Sequence, residues 1–239
     1  ELYGKYGMTY FSLGVTPMES GFRTTAKTGP IKTLEDYKGK KLRTPSRATI
    51  WILEKLGAAP VKMPGGEIYL ALERGVIDGA EFSSPGIDWE MGLGEITKYW
   101  SVPCWFQPSS QIGVMVNLKA YQALPKEYQV ILECAAKAAA IEATAFWEAD
   151  SARAIEKFKK KGTEIVKLDE ASLEKLEDLA AQYVLIPAKE SKEYARILKS
   201  QMEYLKEYKD WRDMTGRFGF GRHPKYVEMV LEELKKMGF

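Results

Sequence analysis

The stretch "GGEIYLALERGVIDGAEFSSP", residues 65–85, decides how this chain is read. Ile68, Ala71, Leu72 and Gly75 fall on one helical face, and Gly75 is a natural stop for that helix. The run that follows, "VIDGAEFS", reads as a buried strand, yet it holds two acids, Asp78 and Glu81. A carboxylate in apolar surroundings needs a cation, a hydrogen-bond donor or a proton. Asp78, shortly after the helix-ending glycine, is expected to bind backbone in the turn. Glu81 is a candidate site residue, with a structural ion pair or simple edge exposure as the plainer readings.

Upstream, "SRATIWILEKLG" spaces Ile50, Leu53 and Leu56 for a helix ended by Gly57, and "KKLRTP" and "APVKMP" read as strands. Thr33 and Asp36 form a capping-box-like pair. From 31 to 85 strands and helices alternate with short connections, which argues for an α/β unit with mostly parallel strands. Arg43 ends "KKLRTP". Ligands in open α/β sheets bind beyond the carboxyl ends of strands, and an arginine there is a fork for a carboxylate or phosphate. A surface arginine in an ion pair is the alternative. Downstream, a long helix is expected from Pro125 to Lys161, closed by Gly162. A strand "TEIVKL" follows, then a helix capped by Asp169 and interrupted at Pro187, and a third through "SKEYARILKSQMEYLKEYKDW". The Gly-rich loop "TGRFGFGRHPK" and a last amphipathic helix end the chain.

The 239 residues, 45% of them hydrophobic, are enough for one large core or two small ones. A net charge of +2 gives no argument for a nucleic-acid partner. No run of eighteen apolar residues is present. The chain begins "ELYGKYG", without Met or a signal-peptide pattern, and is expected to be processed or a fragment. Two cysteines make no disulfide framework, and Cys134 is expected in the core. One histidine, His223, rules out a multi-histidine metal site. "CWFQPSSQ" places Trp105, Phe106 and Gln107 together, suited equally to a pocket wall and to a core strand. "GFGRHPK" lacks the pattern of a phosphate loop, and no nucleophile elbow or catalytic triad has supporting context. The residues alone read as an α/β domain with a candidate anion site and no catalytic centre.

The ordered set "PIKTLEDYKGKKLRTP", "LEKLGAAPVKMPGGEIYLALERGVIDGAEF", "GLGEITKYW" and "LPKEYQ" resembles the periplasmic solute receptors of TRAP transporters. "GGEIY" followed by "WFQP" is more similar to the branch that takes 2-oxo acids and other small monocarboxylates than to the C4-dicarboxylate branch. The resemblance covers almost the whole chain, matching the later two-thirds of such a receptor. It implies a two-lobed α/β fold of the periplasmic-binding-protein kind with long C-terminal helices. The first lobe would be 1–22 plus 81–117, lacking its N-terminal part. The second would be 23–80 plus 118–168, with helices 169–239 packed across the lobes or in a dimer. The function implied is capture of a small organic acid, a 2-oxo or 2-hydroxy monocarboxylate, for delivery to the membrane subunits. Alternatives are a non-binding or oligomerisation remnant, or an α/β enzyme acting on a carboxylic acid. Arg43 would clamp the substrate carboxylate, Gln107 would face the ligand, and Trp105 would wall it. Glu81 and Phe82 would help to hold a bridging Na⁺ or Ca²⁺. The glutamine that completes that cation site in relatives would fall near Pro17 to Glu19, where none stands; Pro17 cannot supply that ligand, whereas Glu19 could. A protonated or arginine-paired Glu81 is the alternative. Tyr194, Ile197, Leu198, Met202, Leu205 and Tyr208 make a stripe suited to a homodimer or to packing on the same chain.

Overall fold

The computed structural model describes residues 2–215. The Gly-rich loop, His223 and the last expected helix lie outside the described residues. The chain opens with Met8–Val15 (β1), an aromatic and β-branched run suited to a strand, and crosses through residues 16–22 to the two-residue Arg23–Thr24 (β2). The Thr33/Asp36 pair closes a capping box over the 3-10 turn Leu34–Tyr37, with Asp36 Oδ2 accepting from Lys32 N at 2.8 Å and Thr33 N at 2.9 Å. Next come Lys41–Arg43 (β3), Arg47–Lys55 (α1), Ala59–Val61 (β4), Ile68–Glu73 (α2) and Gly79–Ala80 (β5). Ser46 caps α1, its Oγ accepting from Thr49 N at 3.3 Å. Pro85–Glu90 (α3), Leu93–Ile96 (α4), Tyr99–Val102 (β6), Gln111–Asn117 (β7) and Leu118–Gln122 (α5) follow. The 36-residue Lys126–Lys161 (α6), Glu164–Lys167 (β8), Glu170–Glu190 (α7) and Lys192–Thr215 (α8) complete the described span. Among the described residues, those up to Ala181 form one compact unit and those from Gln182 a second.

Two sheets result. β1 and β7 pair antiparallel, from Met8↔Asn117 to Val15↔Gln111. The other sheet runs β4-β3-β5-β2-β6-β8. Within it β3 is parallel to β4 and β5, and β6 is parallel to β8, while β2 runs antiparallel to both β5 and β6. Tyr99–Val102 joins the sheet of β3 and β5 through β2, because Arg23 pairs with Ala80 on one side and Trp100 on the other.

Side-chain alternation then divides the core. β3 and β5 align Leu42 with Gly79 and Arg43 with Ala80. Leu42 enters a core with Phe22, Tyr37, Leu53 and Leu176, whereas Ala80 enters one with Ile68, Leu72, Ile77 and Leu93. The α2 face predicted from its spacing, Ile68, Ala71 and Leu72, is buried in this second core.

Two local readings are corrected. Cys134 is exposed. The first half of α6 is apolar on several sides, and Tyr128, Ile131 and Ile141 are exposed there; the helix is buried only at Ser151, Ala154 and Phe158. Apolar residues all around a helix do not say which side is covered. The helix expected to break at Pro187 continues to Glu190. Proline there forgoes one N–H bond close to the end of the helix, where the loss is smallest.

Glycine is required at position 21 by close approach. A Cβ there would overlap the Ser101 carbonyl oxygen, and Ser101 N is bonded to Phe22 O at 2.9 Å. Gly21→Ala should destabilise the protein by about 1–3 kcal/mol, as overpacking does, and lower the melting temperature by roughly 2–4 °C for each kcal/mol. A thermal melt matching the parent protein would show that the 19–22 crossing is not tightly held.

Candidate functional site

Arg43 and Glu81 meet because their strands are adjacent and parallel. Arg43 ends β3, and Glu81 follows Ala80, its neighbour's last residue in β5. Both are buried, at 4% and 2% exposure. Arg43 Nε donates to Met63 O at 3.2 Å. Its Nη1 donates to Glu81 O at 2.7 Å and to Glu81 Oε1 at 3.2 Å. These contacts fix the guanidinium plane. They leave Nη2 with no hydrogen bond to the described residues. Burial pushes the Glu81 carboxyl up to about 7, against the pull of Arg43 and a hydrogen bond from Thr44. The Phe82 ring lies 5.6 Å from the Arg43 guanidinium carbon, and Gly65 lies flat against that ring, where a Cβ would overlap it. Gly65, the first glycine of the opening stretch, thus makes room for Phe82.

A second acid comes from the 16–22 crossing. Glu19 is 8% exposed. Its Oε1 accepts from Gln107 Nε2 at 2.7 Å and Ser110 Oγ at 3.3 Å, and its N–H donates to Gln107 O at 3.3 Å. Burial first, and then the Glu81 charge, push the Glu19 carboxyl up to about 7. Glu19 also lines a cleft of about 450 Å³ together with Met18, Trp100, Pro103, Lys167 and Leu173.

Beneath both acids lies a fully buried ion pair. Arg23 Nε donates to Asp88 Oδ2 at 3.0 Å, and both side chains are 0% exposed. The guanidinium sits in a corner made by the Trp100 and Phe158 rings, its carbon 3.9 Å from each centroid and the two rings 5.6 Å from each other. Those two π-faces serve a cation whose Nη1 has no hydrogen-bond partner. Burial pushes the Asp88 carboxyl up, while Arg23 holds it down.

The expected site residues thus separate into groups. Arg43, Glu81 and Phe82 are in contact. Gln107 is tied to Glu19. Trp105 belongs to the larger core: its Nε1 donates to Tyr37 OH at 2.9 Å, and its ring packs against Tyr37, Phe22 and Phe106. Asp78 binds backbone, its Oδ2 accepting from Lys41 N at 2.8 Å. Sequence reasoning missed Thr44, Arg23 and Asp88. No local pattern marks the last two, which pair across 65 positions.

Residues 5–190 match the family of bacterial extracellular solute-binding proteins, family 7. The chain belongs to that family. It is 34% identical over 166 residues to a monocarboxylate 2-oxoacid-binding periplasmic protein of Nostoc sp., which covers 70% of this chain and 44% of the relative. The chain therefore spans less than half the length of that relative. Among solved structures, a TRAP periplasmic solute-binding protein from Colwellia psychrerythraea with bound calcium and pyruvate superimposes with a TM-score of 0.81. It is 32% identical, over 90% of this chain and 65% of its own. A counterpart from Pseudoalteromonas atlantica with bound sodium and pyruvate gives 0.78 at 31% identity, over 95% and 66%. The mixed α/β architecture is theirs. A family of solute receptors also sets aside the reading of this chain as an enzyme.

Two buried acids near pH 7 have a consequence for stability. Each titrates at about 7 in the folded chain against about 4.5 when free. The folded state therefore binds more protons between those values, and stability falls as pH rises through 7. Urea unfolding should show a lower midpoint at pH 8 than at pH 5. Glu19→Gln should flatten that slope by removing one of the two acids and relieving Glu81, leaving Arg43 and Asp88 as the remaining charges nearby. A slope unchanged by Glu19→Gln would show that Glu19 is ionised throughout.

Proposed function

We propose that this chain forms the ligand-binding part of a TRAP-transporter solute receptor. It takes a small 2-oxo or 2-hydroxy monocarboxylate in the periplasm and passes it to the membrane subunits. The observation that carries this reading is Arg43: a buried guanidinium, oriented by the fixed acceptors Met63 O and Glu81, with Nη2 uncommitted at the carboxyl ends of the parallel strands β3 and β5. That is a fork for a carboxylate. The 16–22 and 103–110 segments connect the two sheets, and closure about them would bury the ligand.

The geometry also constrains how the carboxylate binds. Nη1 is occupied twice by Glu81. A ligand can take Nη2 alone, or take Nη1 and Nη2 together and displace the Glu81 side chain. Displacement leaves a buried acid that must then find a proton or a cation. Pyruvate is bound together with calcium or sodium in the two relatives named above. Glu81 is engaged by Arg43 and Thr44, and no group of three or more His, Cys, Asp or Glu among the described residues could hold a metal. Calcium asks for six to eight oxygens. The protein's own contribution is orientation by Arg43 and exclusion of water, and a proton on Glu81 suffices to keep an anionic ligand beside it.

Titration calorimetry of the 239-residue chain with pyruvate and longer 2-oxo acids tests the reading. Binding should be detectable and should persist in chelator. Arg43→Ala should cost about 2–5 kcal/mol, the toll of losing one side of a buried charge pair. Arg43→Lys should lose a large part of that, because an ammonium lacks the planar fork. Unchanged affinity in both variants would remove Arg43 from the site. Loss of binding in chelator would put a cation there.

Homodimer formation through α8 is part of the same proposal. Tyr194, Ile197, Met202, Leu205 and Tyr208 are all exposed on α8, a row more apolar than a lone surface helix carries. Light scattering should give twice the chain mass, and Leu205→Glu should return it to monomer. A monomer at high concentration would rule out the dimer.

A further inference from the structure

The reading above uses Arg43, Glu81 and Glu19, and leaves the buried Arg23–Asp88 pair without a task. A fully buried ion pair is weak as a stabiliser, since well-packed apolar residues often do as well in its place. Its connections run toward the site. Two chain crossings pass each other here, one through Glu19 and Ser20, the other through Glu81, Phe82, Ser83 and Ser84. A backbone bond joins them, Ser20 N to Ser83 O at 2.8 Å. Arg23 and Asp88 bracket that bond. Arg23 Nη2 donates to Ser20 Oγ at 3.1 Å on one crossing. Asp88 Oδ1 accepts from Ser83 N at 3.0 Å on the other. Arg23 Nε and Asp88 Oδ2 close the ring at 3.0 Å. The adjoining Trp100 and Phe158 rings pack against the guanidinium, whose carbon is 3.9 Å from each centroid.

We propose that Arg23 is a positioning residue of the ligand site: through Asp88 and Ser20 it holds the two crossings in register, and so sets the spacing between Glu19 and Glu81. Each of these acids is one or two residues from a clamped position. The Asp88 charge also acts on Glu19, Glu81 and Arg43 alike, which places the clamp within electrostatic reach of all three. Arginine is needed because one planar group must reach Ser20 and Asp88 at once through two different nitrogens while packed in the Trp100–Phe158 corner; a lysine ammonium lacks that planar fork. The effect on ligand affinity rests on the proposed function, whereas the effect on spacing does not.

The test separates the two. Arg23→Ala alone strands Asp88 and is at risk of not folding, so the variants are Ser20→Ala and the apolar double replacement Arg23→Met with Asp88→Leu, which keeps the volume filled. The primary readout is the interaction between the two acids. A double-mutant cycle of Glu19→Gln and Glu81→Gln is measured by urea unfolding at pH 8, in the parent and in each variant background. The clamp predicts a clear non-additivity in the parent that falls by about half or more in both variants, at a melting temperature close to the parent's for Ser20→Ala. A residue of merely structural value would lower the melting temperature and leave the cycle as it was, and that result overturns the proposal. Calorimetry with pyruvate is the second readout. Affinity should drop about tenfold in Ser20→Ala, as a displaced contact group produces. If the parent binds no 2-oxo acid, the proposed function fails while the cycle still decides the clamp.

Discussion

The arrangement depends on a charge pair that forms where two parallel strands end together. Arg43 and Glu81 are brought side by side by the β3–β5 register, and both are removed from water. Neither could be buried alone without a penalty of several kcal/mol. Paired, they hold a cation and an anion at the carboxyl edge of a sheet, with part of the guanidinium uncommitted. The surrounding structure supports that placement. Met63 O fixes the plane of Arg43, Phe82 covers it, and Gly65 yields the room Phe82 needs. The opening stretch, with its abrupt helix and its acid after a strand, exists to build this corner.

Much of the corner was legible before any coordinates. The helix over Ile68–Glu73, its stop at Gly75 and the return as a strand follow from spacing and glycine placement; the end-of-strand rule singled out Arg43, and a carboxylate in an apolar run singled out Glu81. The strand itself was overdrawn: only Gly79 and Ala80 are in the ladder, and Glu81 stands just past it. What stayed hidden was long-range. Arg23–Thr24 is a two-residue strand with nothing local to announce it, yet it joins β5 to β6 and moves β6 into the larger sheet. Trp105 was equally suited to a pocket and to a core, and only its bond to Tyr37 places it. Cys134 misled because α6 is apolar beyond the face it buries. The continuation of α7 past Pro187 shows that a proline near a helix end can be tolerated.

The site carries more negative charge than one arginine offsets. Glu19 and Glu81 both sit near neutrality in their titration because burial penalises their charged forms, and each feels the field of another acid. A receptor for an anion can use this. Protonated acids lower the repulsion and donate hydrogen bonds to a keto or hydroxyl oxygen. The deeper Arg23–Asp88 pair is internally neutralised and so adds rigidity without adding net charge.

The central claim is that Arg43 receives the ligand carboxylate. A crystal structure of the chain grown with pyruvate tests it most directly. The account predicts a carboxylate oxygen about 2.7–2.9 Å from Arg43 Nη2, with Nε still bonded to Met63 O. A pyruvate carboxylate bound elsewhere, with the Arg43–Glu81 pair undisturbed and Nη2 facing only solvent, would contradict it.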